Sequence, residues 1–194
     1  MMVKICGITN REDALAVVEA GASAIGFNFY RESPRYVSPT GAATIAEKIP
    51  AGVWKVGVFV NETPETVARI ALLVGLDVAQ LHGTAGARGI RVWRALRANE
   101  SLLSHVADDS VEALLLDSPS DELYGGTGQT WDWSRAKDHM QKIILAGGLD
   151  ASNVRRAIEE AQPWGVDACS RLERSPGLKD HDKMRQFVKA ALGS

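Results

Sequence analysis

Short apolar runs alternate with amphipathic stretches along the whole chain. Val3–Cys6 is a buried-type run that stops at Gly7. Beyond it Ala14, Leu15, Val17 and Val18 recur at helical spacing up to Gly21, which predicts a helix from about Asn10 to Ala20. Thr9 reads as its N-cap, with Glu12 three residues on as the capping-box partner. The unit then repeats. Further strands are expected at Ala24–Phe29, Lys55–Val60, Val78–Leu81, Arg91–Ala95, Ala113–Asp117, Lys142–Ala146 and Val166–Ser170. Helices are expected to open at Ser38-Pro39, with proline in the first helical position, and at Thr63-Pro64, ending at Gly75. Others are expected near Glu100–Ala107, from about Asp132 to His139, from Ala151 to Ala161 and from about His181 to Leu192.

Strands rich in Val, Ile and Leu that alternate with helices predict an α/β fold, a parallel sheet covered by helices. A closed barrel and an open doubly wound sheet both satisfy that pattern, and eight strands favour the closed (β/α)8 TIM barrel. Such barrels usually take ~250 residues, so a chain of 194 would be a minimal one. Between strands 4 and 5 only Gly83–Gly89 is available, and a parallel crossover normally takes a dozen or more residues. The fourth helix of the barrel is therefore expected to be reduced to a turn or missing. No linker or shift of composition divides the chain, so residues 1–194 read as a single barrel domain.

Composition narrows the function classes. The chain is 45% hydrophobic and 24% charged, with net charge -2 and mixed signs, so no basic stripe points to nucleic acid. The longest apolar runs fall far short of the ~18 residues of a membrane span. The N-terminus enters a strand directly, without the charged and apolar regions of a secretion signal. Two cysteines, Cys6 and Cys169, make neither a disulfide framework nor a metal site, and a cytoplasmic location is expected.

Candidate chemistry gathers at strand ends. Cys6 is either a small buried hydrophobe or a thiol at the catalytic rim, where a thiolate acts as nucleophile or base. Asp117 closes the apolar run Ala113–Leu116; partial desolvation there would raise its pKa and suit a general acid, though a turn-capping carboxylate fits as well. Tyr124-Gly125-Gly126-Thr127-Gly128 follows strand 6, and Gly147-Gly148 ends strand 7. Backbone N–H groups in such loops make anion nests, and the loops after strands 7 and 8 are the common phosphate site of barrels. Arg35, on the loop after strand 2, would hold a carboxylate bidentately or lie free in solvent.

Eight motifs occur in order: Lys4-Ile5-Cys6-Gly7-Ile8-Thr9, Ser33-Pro34-Arg35-Tyr36-Val37, Val58-Phe59-Val60-Asn61, Gln80-Leu81-His82-Gly83, Leu116-Asp117-Ser118, Gly125-Gly126-Thr127-Gly128, Leu145-Ala146-Gly147-Gly148-Leu149 and Pro176-Gly177-Leu178-Lys179-Asp180. Together, and over the whole chain, they resemble the phosphoribosylanthranilate isomerases of tryptophan biosynthesis. The resemblance implies a (β/α)8 barrel and a cofactor-free Amadori rearrangement of N-(5-phosphoribosyl)anthranilate. It implies Cys6 as the base, Asp117 as the acid, and Arg35 on the anthranilate carboxylate. Gly147, Gly148 and Ser170 would form the phosphate cradle. Gln80, His82 and Arg171 join the expected substrate-binding set. The expected partner is a small phosphosugar, with no nucleic acid or membrane, and a monomer is favoured over a dimer. Two rivals remain: a histidine-pathway or dual-specificity aminoaldose isomerase, which would carry aspartate where this chain has Cys6, and a non-catalytic phosphosugar-binding barrel.

The chain departs from the family at Ser170-Arg171-Leu172-Glu173, where Ser-Gly-Val-Glu is usual. Arg171 is expected at negative φ, with its guanidinium over the phosphate, paired with an acid such as Glu173, or in solvent. Strand alternation puts Lys4 on the face of Cys6 and Asp167 on the face of Cys169. Strands 8 and 1 are neighbours in a closed barrel, so Lys4 and Asp167 are expected to pair, and the two cysteines to be near neighbours.

Overall fold

β1 (Met2–Cys6) pairs in parallel with β2 (Ala24–Asn28) on one side and with β8 (Gly165–Ala168) on the other, and the second pairing closes the sheet. This is seen in a computed structural model of the chain that describes residues 1–97, 110–117, 132–137 and 141–193. Between them run β3 (Trp54–Val60), β4 (Val78–His82), β5 (Arg91–Arg97), β6 (Ala113–Asp117) and β7 (Lys142–Leu145), in that order around a closed barrel. Outside it lie α1 (Arg11–Glu19), α2 (Pro39–Ala46), α3 (Pro64–Val74), α4 (Val154–Ala161) and α5 (His181–Leu192). The expected (β/α)8 barrel is the observed one. Residues 83–90, between β4 and β5, form turns and bends without a helix.

Two apolar layers follow from strand alternation. One set of side chains, including Val3, Ile5, Ile25, Phe27 and Leu114, packs outward under the helices. The other, including Met2, Ala24, Val56, Val78, Trp93, Leu115 and Ile144, fills the barrel interior. Trp54, Trp93 and Trp164 cluster with ring centroids 5.9–6.1 Å apart and close the end where the strands begin. Chemistry is left to the other end.

Local signals explain most boundaries. Ser38 and Thr63 cap α2 and α3 with Pro at the first helical position, and Gly75 ends α3 at φ 68°. Asp180 accepts from two backbone N–H groups to start α5. The start of α1 differs from expectation. Asn10, not Thr9, is the N-cap, accepting from Asp13 N at 2.8 Å. Asp13 replaces Glu12 as the returning partner, and Thr9 Oγ1 donates to Gly177 O at 2.5 Å instead. Ala16 is buried while Leu15 is only half-buried, because that shift rotates the inward stripe.

Near β7, a 3-10 turn at Trp133–Ala136 stands where a longer helix was expected, and α4 begins at Val154 after a turn at 151–153. The expected helix near Glu100–Ala107 and the loop Tyr124–Gly128 lie outside the described residues. A two-stranded hairpin, β9 (Glu173–Ser175) and β10 (Leu178–Lys179), follows β8 and has no counterpart in the sequence reading.

Candidate active site

Parallel strands in one register bring their C-terminal residues to one rim. Lys4 pairs in register with Asp167, and Ile5 with Ala168. Lys4 Nζ lies 2.9 Å from Asp167 Oδ1, with Lys4 fully buried. The approach is off the hydrogen-bond direction, so the contact is an ion pair by distance. Burial raises the Asp167 carboxyl above its usual range, and Lys4 works against that rise. The expected Lys4–Asp167 pair is thus present.

Cys6 follows Lys4 on the same inward face. Gly7 turns the chain away at φ 76°, and a Cβ there would come within 2.8 Å of Arg35 Cδ and 3.0 Å of Cys169 Sγ. Across the strand pair, Gly26 leaves the room that Cys6 Sγ occupies. The thiols of Cys6 and Cys169 are in hydrogen-bonding contact, so the expected neighbours meet.

Cys6 and Asp117 line one cavity, which opens to solvent. Asp117 is half-buried at the end of β6, and its charge contributes to the rise at Asp167. Gln80 and His82 reach the same space from β4. Burial, with the charges of Lys4 and Arg94, lowers His82 to about 4, so its ring is neutral. Gln80 Nε2 lies 3.0 Å from His82 Nε2 and donates to it, which puts the ring proton on Nδ1. Gln80 Oε1 is buried and meets no donor among the described residues, an acceptor available to a ligand.

The far wall is backbone. Gly147 and Gly148 turn at φ 88° and 64°, and Asn153 Nδ2 ties Gly148 O down at 2.8 Å. Ser170 and Arg171 follow β8 and line the cavity beside them. Arg171 is not among the described residues with positive φ, as expected. Its guanidinium pairs with Asp150 at 2.9 Å rather than with Glu173. Glu173 is already occupied: Arg35 grips it through Nε and Nη2 at 2.8–3.1 Å, and Lys179 Nζ at 2.9 Å.

Arg35 also borders the cavity, on a loop set by Ser33, whose Oγ accepts from Arg35 N at 3.2 Å and from Asn28 Nδ2 at 3.1 Å. Among the described residues its Nη1 has no hydrogen-bond partner. The nine residues given catalytic or substrate-binding parts from the sequence therefore border one cavity. Sequence reasoning missed that Glu173 and Lys179 form a buried ion pair beside Arg35. Among the described residues, no group of three or more His, Cys, Asp or Glu is arranged to hold a metal ion, and no helix is long and apolar enough to cross a membrane.

Comparison with known proteins points one way. The sequence model of the family described as N-(5'phosphoribosyl)anthranilate (PRA) isomerase matches residues 3–190. The N-(5'-phosphoribosyl)anthranilate isomerase of Solibacter usitatus is 54% identical over 202 residues, covering 100% of both chains. The crystal structure of phosphoribosyl anthranilate isomerase from Thermotoga maritima superposes with a TM-score of 0.91 at 41% identity, covering 100% of both chains. A second structure, of a phosphoribosyl anthranilate isomerase in complex with reduced 1-(o-carboxyphenylamino)-1-deoxyribulose 5-phosphate, gives a TM-score of 0.86 at 38% identity, again covering 100% of both.

Proposed function

The chain belongs to the N-(5'-phosphoribosyl)anthranilate isomerase family, and on that premise we propose how its residues divide the work. The reaction is an isomerisation in tryptophan biosynthesis: the aminoaldose N-(5-phosphoribosyl)anthranilate becomes 1-(2-carboxyphenylamino)-1-deoxyribulose 5-phosphate. Two proton transfers are needed. An acid must protonate the furanose oxygen so that the ring opens to a Schiff base. A base must then take the C2′ proton, and the resulting enolamine becomes the ketone.

Asp117 is our acid and Cys6 our base. The observation that carries the assignment is that both border one cavity, Cys6 at the end of β1 and Asp117 at the end of β6. Gly147, Gly148 and Ser170 hold the phosphate through backbone N–H groups and a hydroxyl, with Arg171 adding charge at the edge. Arg35 Nη1 takes the anthranilate carboxylate. Gln80 Oε1 accepts from a substrate N–H or O–H, which relieves its unpaired burial. His82, being neutral, completes the wall without competing for the acid role. Holding one molecule at both ends while two groups act at its middle supplies much of the rate through orientation.

One chain supplies every group assigned here, so the reading needs no second copy, and we take the monomer and the cytoplasm as its setting. The test is steady consumption of anthranilate-type fluorescence by the purified protein, run beside the histidine-pathway aminoaldose. Turnover of the first substrate supports the assignment. Binding of the first without turnover would make the chain a phosphosugar-binding barrel. Comparable turnover of both would make it dual-specific.

A further inference from the structure

Resting on the reading of Cys6 as base, we infer that Cys6 does not reach its thiolate form alone: Cys169 shares one proton with it, so that two sulfurs between Lys4 and Lys179 carry a single negative charge. Cys169 is then a positioning residue that acts through Cys6.

The backbone brings the pair together. The last residues paired between β1 and β8 are Ile5 and Ala168, and Cys6 and Cys169 come next on the two neighbouring chains, whose strands run about 4.8 Å apart. Their thiols are in hydrogen-bonding contact.

The charges around the two sulfurs differ. On the Cys6 side, Lys4 also contacts the thiol, but its charge is matched by Asp167, with Asp117 beyond and a neutral His82 above. On the Cys169 side stand two cations and one carboxylate. Lys179 is fully buried, and its Nζ lies 3.7 Å from Cys169 Sγ, 3.2 Å from Cys169 O and 2.9 Å from Glu173 Oε1. Arg35 shares that same Glu173. Glu173 Oε1 also comes within 4.0 Å of Cys169 Sγ and opposes a negative charge there, but it is outnumbered. Among the described residues this side is one anion short, and Cys169 is able to supply it.

The titration directions agree. The hydrogen bond from Cys6 pulls Cys169 down to about 7, against burial, with Lys179 and Arg35 helping and Glu173 opposing. The same hydrogen bond, with burial, pushes Cys6 up. At rest Cys6 donates its S–H to the Cys169 thiolate. In the reaction that proton crosses to Cys169, Cys6 becomes the thiolate and takes the C2′ proton; nothing is oxidised or reduced. A lone buried thiol at this place would stay neutral at pH 7, whereas a pair sharing a proton is half-prepared.

The chain has two cysteines, so thiolate absorbance in the ultraviolet reports this pair alone. The experiment titrates ligand-free wild type, Cys169→Ser, Lys179→Met and Lys179→Arg, and records kcat/KM against pH for each. Wild type should show one thiolate by pH ~8 and the second only far above it. Cys169→Ser should lose the neutral-pH thiolate, cut kcat/KM at pH 7 by about 10–100-fold, and recover toward wild type in alkali as its acidic limb moves up ~1–2 units. Lys179→Met should behave the same way, and Lys179→Arg should restore the wild-type profile. A Cys169→Ser protein with the wild-type thiolate count, or with kcat/KM lowered equally at every pH, would overturn the proposal. The absorbance needs no turnover, so these results stand apart from the fate of Cys6 as base, which Cys6→Ala decides.

Discussion

Glu173→Gln should destabilise the protein and activate its thiols at once. The carboxylate is 4% exposed and sits between Arg35 and Lys179, whose side chains are 13% and 0% exposed. Removing its charge leaves two buried cations, and Arg35 cannot give up a proton. Breaking a buried pair in this way costs roughly 3–5 kcal/mol, and at about 2–4 °C per kcal/mol for a chain of this size the expected fall in Tm is about 6–20 °C. Glutamine keeps the shape and one acceptor, which favours the lower half of that range. Glutamate here is held below its ordinary 4.5: burial works to raise it, but the Arg35 hydrogen bond and the Lys179 charge outweigh burial. The stabilisation is therefore fully present above pH 4.5 and is lost as pH falls through the lower folded-state value. Thermal unfolding by circular dichroism at pH 7 and in steps down to about pH 3 should show the gap between wild type and variant closing in acid. Over the same variant the Cys169 thiolate should appear at lower pH, because its one opposing charge is gone. A gap near zero at pH 7, or one that stays constant into acid, would refute the picture of Glu173 as a buried counter-ion.

Three further outcomes follow from the geometry. Arg35→Ala should raise KM more than it lowers kcat, since a carboxylate grip acts alike in ground and transition states; steady-state kinetics separate the two, and a kcat loss with KM unchanged would put Arg35 at the reacting centre. Arg171→Gly should shift Tm by no more than ~4 °C, because its pair with Asp150 is partly exposed and such pairs are worth ~0–1 kcal/mol. The same variant should raise KM and flatten the salt dependence of binding; an unchanged KM would leave Arg171 as a partner of Asp150 only. Hydrogen peroxide should inactivate the enzyme by joining Cys6 and Cys169 in a disulfide, with two waters formed, and dithiothreitol should restore it; neighbouring strands place their Cα atoms within the ~4.4–6.8 Å a disulfide requires. Mass mapping that finds no Cys6–Cys169 linkage would reject that route.

Much of this architecture was legible because it depends on period and punctuation. Strand alternation alone pointed to the Lys4–Asp167 pair, since a lysine buried beside Cys6 needs a counter-ion from the neighbouring strand. The last helix, His181–Leu192, was read without error because Asp180 starts it and Gly193 stops it. The first helix slipped by one residue because Thr9 and Asn10 are both good caps and Glu12 and Asp13 both good partners. What decided between them was a hydroxyl drawn off by a carbonyl 168 residues away. The hairpin β9–β10 was illegible for a similar reason. Its strands are three and two residues long, largely polar, and show no alternation. Lys179 looks like a surface residue in the sequence, and only the fold reveals it fully buried against Glu173 and Cys169. Of the places expected for the Arg171 guanidinium, the pairing with an acid is the one observed, but the acid is Asp150 and not Glu173, which Arg35, 138 residues away in sequence, already holds.

The central claim is that Cys6 and Asp117 are the base and acid of the isomerisation. Turnover of N-(5-phosphoribosyl)anthranilate by Cys6→Ala and by Asp117→Asn, with circular dichroism to confirm each fold, tests it most directly. Each variant should lose about 10²–10⁴-fold in kcat while keeping its secondary structure. Near wild-type turnover by either one would contradict the assignment of that residue.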